Sequence, residues 1–321
     1  MADPRFDILG IGNAIVDVLA RTDDAFLDKH GMRKGAMTLI DATDAERIYA
    51  AMPPAQEASG GSAANTCAVA AMLGARVAYL GKIADDQLGR VFAHDIRAGG
   101  VAFDAAPLQN GAPTARCLIL VTPDGQRTMN TFLGACVALG EQDVDAALVA
   151  DAAVTYLEGY LFDPPAAQAA FRKAAAAARG AGRKVALSLS DPFCVNRHRA
   201  AFRALVRDDV DILFANEAEI AALYEAEFDA AAEAARADVA IAALTRSEAG
   251  SVIVAGAETA VVPAAPTAVV DTTGAGDAYA AGFLAAWARG EALAACGALG
   301  SRAAAVTIAR MGARPDPAAL A

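Results

Sequence analysis

The feature that most limits how this chain can fold is an alternation of short β-branched runs with stretches of helical period. Residues 7–12, 77–80, 154–157, 184–189, 211–214 and 239–244 read as strands, and residues 65–73, 86–98, 165–179 and 217–224 read as helices between most of them. Parallel neighbours need a long crossover, usually helical, so this alternation implies a largely parallel sheet covered on both faces. Hydrophobic residues are 56% of the chain and charged residues 20%, enough for such a core and too apolar for disorder. The expected fold class is α/β, with a mostly parallel central sheet flanked by helices.

Two segments break the alternation. Residues 16–41 and 114–131 read as strands without long helices, and the second holds a Pro123-Asp124-Gly125 turn between residues 117–122 and 127–131. They are expected to make a small β-sheet lid over a site, on a core formed by residues 1–15, 42–113 and 132–321.

Charge narrows the partners. A formal net charge of -11 repels phosphate backbones, so nucleic acid is not an expected partner. An anionic ligand would have to be held by local devices: backbone N–H groups, a helix N-terminus and a divalent metal. The five cysteines are odd in number and widely spread, which fits reduced thiols in the cytoplasm. The first residues carry charges where a signal peptide needs an apolar run, and the longest uncharged stretch, 58–75, is interrupted by Gly, Ser, Asn and Thr. A cytoplasmic chain with no membrane partner is expected.

Four constellations carry chemistry. In Asp271-Thr-Thr-Gly274-Ala275-Gly276-Asp277 a Gly-Ala-Gly turn opens a helix, so backbone N–H groups can converge on an anion beside the positive end of the helix dipole. Asp277 then stands where it can take the proton of a hydroxyl as a phosphoryl group transfers, although an Asp that only caps a helix accounts for the bare motif. Ser59-Gly60-Gly61-Ser-Ala-Ala-Asn65 lets a ligand approach the backbone and offers Asn65 to vicinal hydroxyls. Asn216-Glu-Ala-Glu219 follows a strand and is equally a capping box; with a phosphate ligand, Asn216 can touch phosphate and Glu219 can order water around Mg²⁺. Finally, Gly10-Ile-Gly-Asn13-Ala-Ile-Val-Asp17 puts Asn13 and Asp17 just past a strand's C-terminal end, where open α/β sheets bind ligands. His30, His94 and His198 form no metal spacing and no triad.

These motifs, in this order and over essentially the whole chain, resemble the PfkB/ribokinase family of carbohydrate and nucleoside kinases, and within it the adenosine kinases. The resemblance implies a ribokinase-like fold and an ATP-dependent kinase acting on an alcohol group. It implies Asp277 as catalytic base, Gly274, Ala275 and Gly276 as anion hole, and Asn13, Asp17, Gly60, Gly61 and Asn65 as contacts to a ribose or sugar. It also implies Asn216 and Glu219 as a phosphate and water-mediated metal motif, Thr245 as an ATP-site threonine and Arg127 as a lid arginine that reaches the transferred phosphate. Thr245-Arg-Ser-Glu-Ala-Gly250 lacks the glycine common two positions after that threonine. ATP and Mg²⁺ are the implied cofactors, with room for a monovalent cation such as K⁺, in a monomer or homodimer.

Where the resemblance puts a nucleobase, Cys117, Met129, Phe132, Tyr160, Phe162 and Phe193 supply apolar or aromatic walls, though Phe162 and Phe193 can each be ordinary core residues. A flat purine needs such walls, whereas a free sugar wants more polar partners. The expected acceptor is therefore adenosine, at its 5′-hydroxyl, giving AMP and ADP. The alternatives are a kinase for ribose, fructose or a related sugar, and a non-catalytic nucleoside or nucleotide sensor. A sensor would be marked by a lost base or anion hole.

Overall fold

The computed structural model describes residues 3–320. In chain order its strands are β1 (Phe6–Ile11), β2 (Ile15–Arg21), β3 (Met37–Leu39), β4 (Gln56–Gly60), β5 (Val77–Leu80), β6 (Val101–Ala102) and β7 (Ala115–Val121), followed by β8 (Arg127–Phe132), β9 (Ala152–Glu158), β10 (Lys184–Ser188), β11 (Ile212–Asn216), β12 (Ile241–Thr245), β13 (Ser251–Ala255) and β14 (Glu258–Val262). A nine-stranded sheet has the order β14-β13-β12-β11-β10-β9-β1-β5-β6. From β12 to β6 every pair is parallel; only the β12–β13–β14 edge is antiparallel.

Alternation along each buried strand feeds two apolar layers. Ile8, Tyr156, Ala186 and Phe214 face one layer with the helices Ser62–Met72, Gln87–Ala98, Ala275–Ala288 and Leu293–Ile308. Leu9, Leu157, Leu187 and Leu213 face the other, with the helices Pro165–Gly180, Pro192–Asp209, Glu217–Tyr224 and Phe228–Asp238. A sheet covered on both faces needs near-continuous apolar strands, which is why these runs were readable. Among the described residues no helix is long and apolar enough to cross a membrane.

The second sheet has the order β3-β8-β7-β2-β4. Residues 56–60, expected in the core, instead pair antiparallel with β2, with Ile15 opposite Gly60 and Leu19 opposite Gln56. Gln-Glu-Ala-Ser-Gly is too polar to announce a strand; register against β2 makes it one. One face of this sheet buries Val16, Val18 and Leu118 against the main body. The other presents Ile15, Cys117, Ile119 and Met129 as a separate apolar group.

Candidate active site

Chain order in the large sheet reverses at β1: β5 and β6 lie on one side, β9 to β12 on the other. Ligands of open α/β sheets bind beyond the strand C-termini at such a switch point. There the structure sets Asn13, just past β1, against Glu158, the last residue of β9. Asn13 donates from Nδ2 to Glu158 Oε1 (2.6 Å) and from its backbone N–H to Oε2 (3.3 Å), while Ala63 N–H donates to Oε2 (2.8 Å). Glu158 is 1% exposed, and burial pushes its carboxyl up to about 7. It thereby holds Asn13 and the N-terminus of the helix Ser62–Met72 in one place.

Gly60 and Gly61 seat the neighbouring groups. A Cβ on Gly60 would fall 2.4 Å from an Asp17 carboxylate oxygen, so a larger residue there would push the Asp17 side chain out of its present position. Asp17 is flanked by Arg314, Arg127 and Asp277, but burial outweighs the two cations and raises its carboxyl to about 6.

The helix Ala275–Ala288 starts after Gly274, whose φ of 76° closes the turn, and no side chain caps it. Its first α-helical bond runs from Ala278 N–H to Gly274 C=O (2.8 Å), so the N–H groups of Gly276 and Asp277 precede the ladder. Asp277 does not cap its own helix. Its carboxylate accepts from Ser62 Oγ (2.6 Å) and Asn65 Nδ2 (3.2 Å) on the facing helix, and burial raises it to about 6. A carboxylate held by two donors beside uncapped N–H groups can accept a proton while an anion is stabilised next to it.

At the other end of the cleft, Asn216 and Glu219 form a complete capping box. Glu219 N–H donates to Asn216 Oδ1 (2.9 Å), and Asn216 donates to both Glu219 oxygens (2.9 and 2.7 Å). Each Glu219 oxygen keeps a lone pair, and burial pushes its carboxyl up to about 7. Among the described residues no cluster of three or more His, Cys, Asp or Glu could hold a metal. Glu219, a hard oxygen donor with Asn216 beside it, fits Mg²⁺ carried largely by phosphate and water. Two positions after Thr245, Ser247 takes a φ of 50°, the left-handed conformation in which glycine would be unstrained.

These groups share one cleft of about 790 Å³. Asn13, Asp17, Gly61, Asn65, Asn216, Glu219, Thr245, Gly274, Ala275, Gly276 and Asp277 line it, as do Cys117, Met129, Tyr160 and Phe193. Phe193 is 75% exposed at its rim. Four expected residues do not themselves line it. Phe162 is fully buried and stacked on Phe202, ring centroids 4.3 Å apart, in the core. Phe132 follows Thr131 on β8, and strand alternation puts it on the opposite face. Gly60 lies beneath Asp17. Arg127 donates to Thr273 Oγ1 (2.7 Å) and pairs with Asp271 (2.8 Å), just ahead of the Gly-Ala-Gly turn.

Sequence reasoning missed Glu158, Ser62 and Arg314. Glu158 carried a signal, an acid closing an apolar strand at a sheet's C-terminal edge. Arg314 carried none, because only long-range contacts bring it to Asn65 and Ser59.

Comparison with known proteins agrees with this geometry. The fold superposes on adenosine kinase from Sinorhizobium meliloti with a TM-score of 0.89 and 55% identity, covering 97% of this chain and 96% of that one. A probable sugar kinase from Rhizobium etli CFN 42 matches with a TM-score of 0.89 and 51% identity over 97% and 96% of the two chains. ATP-dependent ribose-1-phosphate kinase from Halopiger xanaduensis is 30% identical over 82% of this chain and 85% of its own length. Guanosine-inosine kinase from Escherichia coli K12 is 26% identical over 67% of this chain, which spans about half (52%) of that relative. A model of the pfkB family carbohydrate kinases matches residues 36–319, an interval holding every motif of the cleft except Asn13 and Asp17; the chain belongs to that family.

Proposed function

We propose that this pfkB-family kinase transfers the γ-phosphoryl group of ATP to the 5′-hydroxyl of adenosine, giving AMP and ADP. Asn13, Asp17 and Asn65 hold the ribose diol, and the purine lies against Cys117, Ile119, Met129 and the Phe193 ring. Asp277 takes the 5′-hydroxyl proton as the new O–P bond forms and the bond from the γ-phosphorus to the bridging oxygen breaks, leaving ADP. The N–H groups of Gly276 and Asp277 receive the charge that develops on the transferring oxygens. Asn216 touches phosphate and Glu219, through water, would hold Mg²⁺, which neutralises triphosphate charge when bound.

The observation that carries the nucleoside reading is the apolar wall opposite the polar one. Ile15, Cys117, Ile119 and Met129 form an apolar group on the cleft face of the small sheet. A purine gains from burying its ring against such a face, and a free sugar does not. That sheet also serves as a lid whose closure shields ATP from water. Base and anion hole are both intact, which favours a catalyst over a sensor. The deciding measurement is kcat/KM for adenosine, inosine, ribose and fructose with ATP and Mg²⁺. Adenosine should lead, and a clear preference for either sugar over both nucleosides would leave a sugar kinase in its place.

A further inference from the structure

Arg314 reaches the site from the far end of the chain. It lies in Gly312-Ala313-Arg314-Pro315, beyond the helix Leu293–Ile308, and Gly312 N–H donates to Asp271 Oδ2 (2.8 Å). Its side chain is 18% exposed. Nε donates to Asn65 Oδ1 (2.9 Å), and Nη1 donates to Ser59 Oγ (2.8 Å) and lies 3.6 Å from Asp95 Oδ2. Nη2 is buried with no hydrogen-bond partner among the described residues. One guanidinium thus joins β4 of the small sheet, the helix carrying Asn65 and the helix Gln87–Ala98. Ser59 is held twice, since its N–H and Oγ also donate to Asp95 Oδ2 (2.8 and 2.5 Å).

The consequence falls on Asn65. Its carbonyl oxygen is taken by Arg314, so its amide nitrogen is the end that meets Asp277 Oδ2 (3.2 Å). A flipped amide would set an oxygen against the carboxylate and waste the guanidinium donor. We propose that Arg314 is a positioning residue for phosphoryl transfer: by fixing the Asn65 amide it aims the Asp277 carboxylate, and by holding Ser59 it makes that aim depend on how β4 is seated. The inference rests on Asp277 being the base. Asp277 also faces Ser62, Tyr156, Glu158, Tyr160, Glu219 and Asp17, which supply hydroxyls or further negative charge, and the cation acting on it is Arg314. Arg314 in turn faces Asp95, Asp17, Cys67 and Asp277. Its charge therefore opposes the burial that raises Asp277.

The test is the pH profile of kcat and of kcat/KM for Arg314→Gln and Arg314→Lys, with Asp277→Asn alongside. Arg314→Gln should lose about 10- to 100-fold in kcat through misalignment, and its acid limb should move to higher pH, which loss of packing alone would not produce. Arg314→Lys keeps the charge but not the fork, so it should lose kcat with the acid limb in place. A folded Arg314→Gln with the wild-type limb and kcat overturns the proposal, as does a change confined to acceptor KM. If the Gln variant does not fold, the Lys variant decides, and unchanged kcat there overturns it. Full turnover in Asp277→Asn would instead overturn the base assignment, whatever Arg314 does.

Discussion

The two walls of the cleft are built differently. One wall is polar: Asn13, Asn65, Asn216, Thr245 and Asp277 stand at strand C-termini and helix N-termini of the large sheet, which is buried on both faces. The other is one face of a five-stranded sheet and is largely apolar, with Asp17 as the charged residue of that face that lines the cleft. Groups that must orient developing charge sit on elements packed from both sides, where rotamers are locked. Groups that only bury a ring sit on the cleft face of a sheet whose other face packs on the main body. Chemistry should therefore depend on the first wall and acceptor choice on the second.

The largest expected effect breaks the polar wall alone. Asp277→Asn keeps shape and the hydrogen bond to Ser62 but cannot take a proton, so kcat should fall by about 10² to 10⁴. Acceptor affinity, measured by calorimetry, should stay close to wild type. Near wild-type kcat would show that the acid is not the base and that the division between the walls is false.

Two phenylalanines sharpen the comparison. Phe162 and Phe193 looked alike in sequence, each an aromatic near the expected base. The structure separates them, Phe162 fully buried on Phe202 and Phe193 exposed at the rim. Phe162→Ala should cost about 3–5 kcal/mol of stability, seen as a lower denaturation midpoint. Phe193→Ala should stay within about 0.5 kcal/mol of wild type while raising KM for adenosine. A stability loss at Phe193 with unchanged KM would remove it from the ligand wall.

That pair also marks what was legible. Strands buried on both faces announce themselves by composition, so residues 77–80 were located to the residue, as was the helix Glu217–Tyr224. Motifs that are local devices, such as the uncapped Gly-Ala-Gly helix start, could be read because neighbours in sequence make them. Partners fixed by tertiary contact could not be read. Glu158 reaches Asn13 from 145 residues away and Arg314 reaches Asn65 from 249, and neither partner leaves a trace in the other's neighbourhood. The edge strands β14 and β4 were missed for a related reason, since an edge need not be continuously apolar. The helix Pro192–Asp209 was hidden by its polar composition and by the break at His198, where φ is -126°.

The smallest expected effect is on stability, and its sign opposes the effect on activity. Burial raises Asp17 and Asp277 to about 6 and Glu158 and Glu219 to about 7 in the folded protein, from ordinary carboxyl values of 3.8 and 4.5. The folded state thus holds these protons more tightly than the unfolded chain. The stability they contribute is present below the unfolded pKa and is lost as pH rises through 6 to 7. Asp7, Asp86 and Asp163 are pulled below the ordinary 3.8, so their contribution is lost only on stronger acidification. Between pH 5 and pH 8 at fixed ionic strength, the ligand-free melting temperature should fall by a few degrees, while kcat/KM rises across an acid limb near 6. Three of the four groups belong to the polar wall, so Asp277→Asn, which has no carboxyl to titrate there, should show a shallower fall than wild type. Equal falls in the two proteins would mean that Asp277 is not desolvated in the folded state, and the acid limb of the rate would then need another group.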